Sequence, residues 1–166
     1  MMKLLASFLI LVLIAGCGYV PASKQARKIV GNNLYVEVIV PLEDPINAVI
    51  IKDAMRKSVV TRFHSSLVDK SKAQTELLVE MSNIAFQPLQ YDQSGYIIVY
   101  RAIINIVVTR LHADKKELYL SKGNFDFTIE PNAVITDTQR LEAISKASLK
   151  ALDSFVAQVG AKGSRL

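Results

Sequence analysis

The chain of 166 residues has little of what metal-binding, disulfide-rich or nucleic-acid-binding proteins need. Its single cysteine cannot form a disulfide within the chain, so packing must stabilise the fold. The two histidines, His64 and His112, lie far apart in sequence and outside any HExxH spacing, so we predict no metal site. The net charge is +5, but no cluster of Lys and Arg is interleaved with aromatic residues, which excludes nucleic acid as a partner.

Motifs of catalysis are equally scarce. Ser94-Gly95 and Ser121-Lys122-Gly123 have neither the spacing of a nucleophile elbow nor that of a phosphate-binding loop. Glu43-Asp44 is better explained as part of a helix cap, and Glu76 with Glu80 as the solvated face of a strand, than as acid–base pairs. We therefore expect no enzymatic activity and no catalytic residue. The sequence favours a binding or assembly protein.

One uninterrupted apolar run is present, and it lies at the amino terminus. Eleven apolar or small residues, Leu4–Ile14, follow Lys3. This run is shorter than the ~20 residues of a membrane span and has the layout of a secretory signal peptide. Ile14-Ala15-Gly16-Cys17 resembles the bacterial lipobox, so we predict cleavage before Cys17 and lipidation of its thiol. An ordinary signal peptide with a chance cysteine is the alternative.

Lipidation would define both the domain boundaries and the location of the protein. We predict a signal peptide over residues 1–16, a lipidated cysteine and tether over 17–33, and a folded domain over 34–166. The only non-protein groups expected are the covalent N-acyl chain and S-diacylglycerol on Cys17, which together should anchor the protein permanently. Gly18 stands where inner-membrane lipoproteins of enteric bacteria have Asp, so we expect outer-membrane anchoring with the domain facing the periplasm.

The first part of the predicted domain has the pattern of a strand followed by a helix. Leu34–Val40 has an apolar residue at every second position, as in a short strand. Asp44-Pro45 combines a capping side chain with a proline suited to the first helical position. The helix should continue to about His64-Ser65-Ser66. Its buried stripe would be Ile51, Met55, Val59 and Phe63, spaced by four residues.

Three long strands and a second amphipathic helix follow. The strand patterns cover Ala73–Leu89, Tyr96–Leu111 and Leu118–Ile129, with a bulge or bend expected near Asn83–Phe86. Thr136-Asp137-Thr138-Gln139 has the spacing of a capping box, and the helix behind it should end before Gly160. Its buried positions would include Leu141, Ile144, Leu152 and Phe155.

The predicted element order is therefore β-α-β-β-β-α. We expect an α+β fold, a two-layer sandwich in which two helices cover one face of a mostly antiparallel four-stranded sheet. Strands of twelve residues or more exceed the usual five or six, so they should project beyond the helices. Because the sheet is apolar on more than its helix-covered face, it should need a partner surface.

The junction Gly16-Cys17-Gly18-Tyr19, followed by this element order, resembles the LptE family of LPS-assembly lipoproteins. The Asp44-Pro45 helix start and the turn Gln90-Tyr91-Asp92 to Gly95-Tyr96 resemble the short form of the family in the Campylobacter and Helicobacter lineage. The resemblance implies a non-enzymatic subunit of the outer-membrane LPS translocon. Such a subunit plugs an LptD-type β-barrel and helps it assemble, and the resemblance leaves direct binding of LPS or lipooligosaccharide open.

A lipid site would need cations beside apolar surface, because LPS presents phosphates and acyl chains. Arg110, Lys115 and Lys116 meet this requirement near the turn after the long strand, next to apolar residues such as Leu111. We predict that they contact LPS at the tip of a projecting hairpin. An ordinary solvated basic turn is the alternative.

Two other functions remain open from the sequence. The chain resembles auxiliary lipoproteins of ABC/MCE-type phospholipid transport systems in its lipobox and in the order of its elements. A purely structural envelope lipoprotein would also fit. Transport permease genes beside the gene for this chain would favour the phospholipid system.

Overall fold

The computed structural model describes residues 22–40 and 45–164 and shows a mixed α+β fold. Cys17, the predicted signal peptide and the predicted cap Asp44 lie outside the described residues. The elements in chain order are α1 (Ala22–Val30), β1 (Asn33–Ile39), α2 (Pro45–Phe63), β2 (Ser66–Leu67), a short 3₁₀ helix (Lys70–Lys72), β3 (Thr75–Tyr91), β4 (Ile97–His112), β5 (Lys115–Thr128) and α3 (Asp137–Gly163).

The strands form one five-stranded sheet in the order β2-β1-β3-β4-β5. Strands β3, β4 and β5 form the expected antiparallel meander. Strand β1 instead pairs in parallel with both β3 and β2. The prediction of a mostly antiparallel four-stranded sheet is therefore corrected at this edge. The reason is the crossover through α2, which returns the chain to the start of β1 before the next strand begins. Strand β2 has only two residues, too few for an alternation pattern.

A third helix lies in the segment that was expected to be a tether. Residues 22–30 form α1, and Ala26, Ile29 and Val30 on it are buried in the core. Their spacing of three and four residues places them on one helical face. That spacing is present in the sequence, but a helix of nine residues gives too short a pattern to stand out. The part of the chain that folds therefore begins before Leu34.

The two longer helices agree with the sequence pattern. Helix α2 begins at Pro45 and ends at Phe63 as expected, and its predicted stripe is buried. Thr136 and Gln139 form the predicted capping box of α3. The predicted end of α3 before Gly160 is wrong, because Gly160 is a buried residue within the helix, which continues to Gly163. Glycine costs only about 1 kcal/mol inside a helix, and burial of neighbouring residues outweighs that cost.

The expected irregularity in strand pairing is present in β3. The pairing of β3 with β4 shifts register between Met81 and Asn83, at the start of the predicted region. On the face toward the helices, alternate strand residues are buried together with residues of α1, α2 and α3. We call the opposite side the outer face. Its side chains include Tyr35, Glu37 and Ile39 of β1, Leu78 and Glu80 of β3, Ile103 and Val107 of β4, and Leu118, Leu120 and Lys122 of β5.

Candidate functional site

The outer face carries an apolar band across three strands. Cross-strand pairing places Leu78, Thr109 and Leu118 in one row and Glu80, Val107 and Leu120 in the next. Directly opposed side chains in such rows lie within about 5.5 Å at Cβ, so they form one continuous surface. The described helices cover the other side of the sheet, and no described element packs over this band. The band is therefore an apolar surface that no described helix or strand covers.

Two leucines of β5, the strand at one edge of the sheet, are unusually exposed. Leu118 is 60% exposed and Leu120 is 68% exposed, although both lie within a regular strand. Neither leucine was identified as a candidate from the sequence. The signal was their i, i+2 spacing, which places them on the same face as Lys122. Burial of a leucine side chain is worth about 1.5–3 kcal/mol, so a partner that covers this face gains substantially.

A second group of side chains lies where β4 and β5 approach their connecting turn. Glu117 is at its centre: its Oε1 accepts from Lys162 Nζ at 2.5 Å. Its Oε2 accepts from Arg110 Nη1 at 3.1 Å and from the Tyr119 hydroxyl at 2.7 Å. Arg110 Nη2 also donates to the carbonyl of Ile29 at the end of α1. The cluster therefore joins α1, β4, β5 and the last turn of α3.

The electrostatics of this cluster follow from its contacts. The hydrogen bond from Lys162, with that from Tyr119 and the charge of Arg110, lowers the pKa of Glu117 to about 2. Burial, together with the hydrogen bond to Glu117, raises the pKa of Tyr119 to about 12. Glu117 thus remains a carboxylate and Tyr119 a neutral donor throughout the physiological range. This arrangement stabilises the end of the sheet.

Of the three residues predicted to contact LPS, one is buried and two are exposed. Arg110 is only 6% exposed and points into the helix-covered side, where its partners are Glu117 and α1. Lys115 and Lys116 begin β5 and are exposed. The expectation that this hairpin projects beyond the helices is wrong, because Lys162 of α3 reaches Glu117 beside the turn. The opposite hairpin end, with Tyr91 and Tyr96 exposed, carries no comparable basic pair.

The remaining candidate residues have structural surroundings. His112 Nδ1 lies 2.9 Å from Thr75 Oγ1 and 2.8 Å from the carbonyl of Gln74. His64 follows the end of α2 with φ of 53°, in the left-handed region common after a helix. Among the described residues, no group of three or more His, Cys, Asp or Glu side chains could hold a metal ion. Over the same residues, no helix is both long and apolar enough to cross a membrane.

Solved structures of bacterial lipoproteins share this fold. Rare lipoprotein B from Shewanella oneidensis is similar over 81% of this chain and 97% of its own, with a TM-score of 0.52 and 13% sequence identity. A candidate lipoprotein from Caulobacter crescentus CB15 is similar over 86% of this chain and 95% of its own, with a TM-score of 0.50 and 7% identity. At such identities the likeness shows the fold alone. The fold of this chain is thus one found in bacterial lipoproteins.

Sequence comparison adds nothing to this likeness. No model of a known protein family matches the chain, and no curated protein sequence matches it.

Proposed function

We propose that this protein is an outer-membrane lipoprotein subunit of the LPS translocon, which plugs an LptD-type β-barrel and assists its assembly. Three observations support the proposal. The lipobox-like Ile14-Ala15-Gly16-Cys17 indicates an envelope lipoprotein. The order of elements resembles the LptE family, and the fold occurs in bacterial lipoproteins. The outer face supplies a surface that a partner could cover.

The uncovered outer face is the observation that carries the proposal. A monomer in water gains nothing from Leu118 and Leu120 at 60% and 68% exposure. Glu80 and Lys122 lie beside the leucines, and such charges argue against a lipid-facing surface. Large outer-membrane barrels can hold a plug in the lumen, where the plug contacts protein rather than lipid. We infer that the outer face contacts the inner wall of such a barrel.

Co-purification from detergent-solubilised outer membrane tests this assignment. The wild-type lipoprotein should retain an LptD-type barrel, whereas Leu120→Arg should lose most of it because a charge would enter the interface. Val134→Arg is the matched control, since Val134 is 83% exposed and lies in the loop before α3. Recovery of an MCE-type transport component in place of a barrel would contradict the proposal and favour a phospholipid system. Equal recovery of the barrel with both variants would contradict the proposed role of the outer face.

We also propose that Lys115 and Lys116 contact LPS phosphates. Both side chains are exposed beside Leu111, which is itself 40% exposed, so cations and apolar surface are adjacent. Lys115→Glu with Lys116→Glu should weaken binding of purified LPS without affecting recovery of the barrel. Lys146→Glu with Lys150→Glu makes the same change of charge on exposed positions of α3 and should leave LPS binding unchanged. Equal LPS affinity in both folded double variants would remove this site.

A further inference from the structure

The edge of the sheet at β1 is only partly covered. At its start, the carbonyls of Asn32 and Leu34 accept hydrogen bonds from the backbone N–H groups of Ser66 and Val68, at 2.7 and 2.9 Å. These bonds show that even-numbered residues of β1 direct their backbone groups away from β3. Strand alternation then directs the N–H and C=O groups of Val36 and Val38 the same way. No backbone hydrogen bond from any described residue reaches these four groups.

A groove lies beside this edge. Helix α2 returns along β1 toward β2, and between them is a cavity of about 370 Å³. One wall is the edge of β1, and the other is formed by α2 residues, among them Val49, which is 55% exposed. An edge strand beside a helix is the arrangement to which extended peptides add as a further strand, because the backbone supplies hydrogen bonds and the helix supplies side-chain contacts. Native edges of this kind are otherwise blocked or covered.

The charges of the groove favour carboxylates on the helix side. Lys52 and Arg56 are four residues apart on α2, and both line the cavity together with Asp53. Within the described parts of the chain, none of these three takes part in an ion pair. Four residues of helix separate the two cations by about 6 Å along the axis, close to the ~6.7 Å between alternate residues of a strand. Two carboxylates at i and i+2 of an added strand could therefore each meet one cation.

The other side of the same edge favours apolar residues. Tyr35, Glu37 and Ile39 occupy the outer face of β1, and Ile39 is 41% exposed. Lys70 lies over the Tyr35 ring on this side but is already paired with Glu76 at 3.0 Å. A carboxylate placed here would therefore lie beside Glu37 and be repelled. An added strand with alternating acidic and apolar residues consequently has one favoured orientation, with its carboxylates toward α2.

We propose that the β1 edge binds an extended segment of a partner protein as an additional strand, one whose residues alternate between carboxylate and apolar side chains. Its backbone pairs with Val36 and Val38, its carboxylates face Lys52 and Arg56, and its apolar residues cover Tyr35 and Ile39. This inference goes beyond the role in the translocon and does not depend on it, because the site lies at the sheet edge rather than on the apolar band.

A defined peptide tests the proposal on the full mature lipoprotein in detergent. The probe is the acetylated and amidated peptide Thr-Glu-Val-Glu-Val-Glu-Thr. We expect saturable binding that shifts the amide NMR signals of Val36 and Val38. Lys52→Glu with Arg56→Glu should weaken the affinity roughly tenfold or more, because like charges then face each other. Lys115→Glu with Lys116→Glu, an equal change of charge at the distant hairpin, should leave it unchanged.

Modified peptides test the backbone contacts without altering the protein. In an extended peptide, alternate backbone N–H groups point toward β1. Methylation of these nitrogens should abolish binding, whereas methylation of the nitrogens that point away from β1 should not. Equal binding by both methylated peptides, or no saturable binding of the parent peptide, would overturn the proposal. Shifts of Val36 and Val38 that depend on protein concentration in the absence of peptide would also overturn it, since a second copy of the chain would then occupy the edge.

Discussion

Gly123 determines how closely helix α3 approaches strand β5. A Cβ atom at this position would lie 2.0 Å from the carbonyl oxygen of Ala147 and 2.3 Å from the backbone nitrogen of Ala151. Ala147 and Ala151 are fully buried, so small residues on both elements allow their backbones to meet. The φ angle of Gly123 lies outside the left-handed region, and the requirement for glycine is therefore steric rather than conformational.

Gly123→Ala should destabilise the domain by about 3 kcal/mol, since backbone atoms of α3 must move to admit the methyl group. Thermal unfolding followed by circular dichroism should show a melting temperature lowered by roughly 10 °C. Gly95→Ala is the comparison, because Gly95 has φ of 84° and open space around its Cβ position. That variant should lose only about 1 kcal/mol, from backbone strain. An unchanged melting temperature for Gly123→Ala would contradict the close approach.

Glu117 should make the stability of the domain sensitive to acid. Its pKa falls from 4.5 to about 2 in the folded state, so its contribution is complete above pH 4.5 and is lost as the pH falls toward 2. Glu117→Gln should reduce the free energy of unfolding by about 2 kcal/mol at pH 7 and by much less near pH 2. Urea unfolding across this range measures the difference. Glu142→Gln, which alters an exposed carboxylate paired with Lys146, should leave the acid response intact.

At the scale of elements, the periodicity of apolar residues located the long helices and strands. Helices α2 and α3 and strands β3 to β5 were all located, because each presents several repeats of its period. Helix α1 and strand β2 were missed, because nine and two residues give too few repeats. The parallel pairing of β1 depends on where α2 returns the chain, a tertiary property that strand patterns do not encode. The surroundings of Arg110 could not be predicted for the same reason. Arg110 is buried partly through its contact with α1, a helix too short to be recognised from the sequence.

The packing of α2 against α3 can be tested at its aromatic contact. Phe63 and Phe155 are both 0% exposed, and their rings meet edge to face with centroids 5.7 Å apart. Truncation of either residue to alanine should cost about 3–5 kcal/mol, enough to threaten a domain of this size. Phe125→Ala is the control, since Phe125 is only partly buried and should cost less. Denaturant unfolding with wild-type stability for both core variants would show that the helices do not pack in this way.

At the scale of the whole molecule, α1 shortens the connection to the predicted anchor. Four residues lie between Cys17 and the start of α1 at Ala22, so five residue-to-residue steps join the two. A chain of that length spans at most roughly 18 Å, whereas a tether ending at Asn33 would reach about three times as far. A lipid on Cys17 would therefore hold the sheet close to the membrane. That proximity favours partners embedded in the same membrane, such as a barrel, over partners free in the periplasm.

Cys17→Ser tests whether this anchor exists. Serine has no thiol to receive the diacylglycerol, so processing at the lipobox should fail and the variant should be found as precursor or as soluble protein. Fractionation of cell envelopes, with mass spectrometry of the amino terminus, distinguishes these forms from the triacylated form expected of the wild type. Ser23→Ala changes a nearby residue outside the motif and should leave lipidation intact. If the Cys17→Ser protein were still recovered from the outer membrane in its mature form, the lipoprotein assignment would be wrong. No lipid anchor would then bring the outer face close to a barrel.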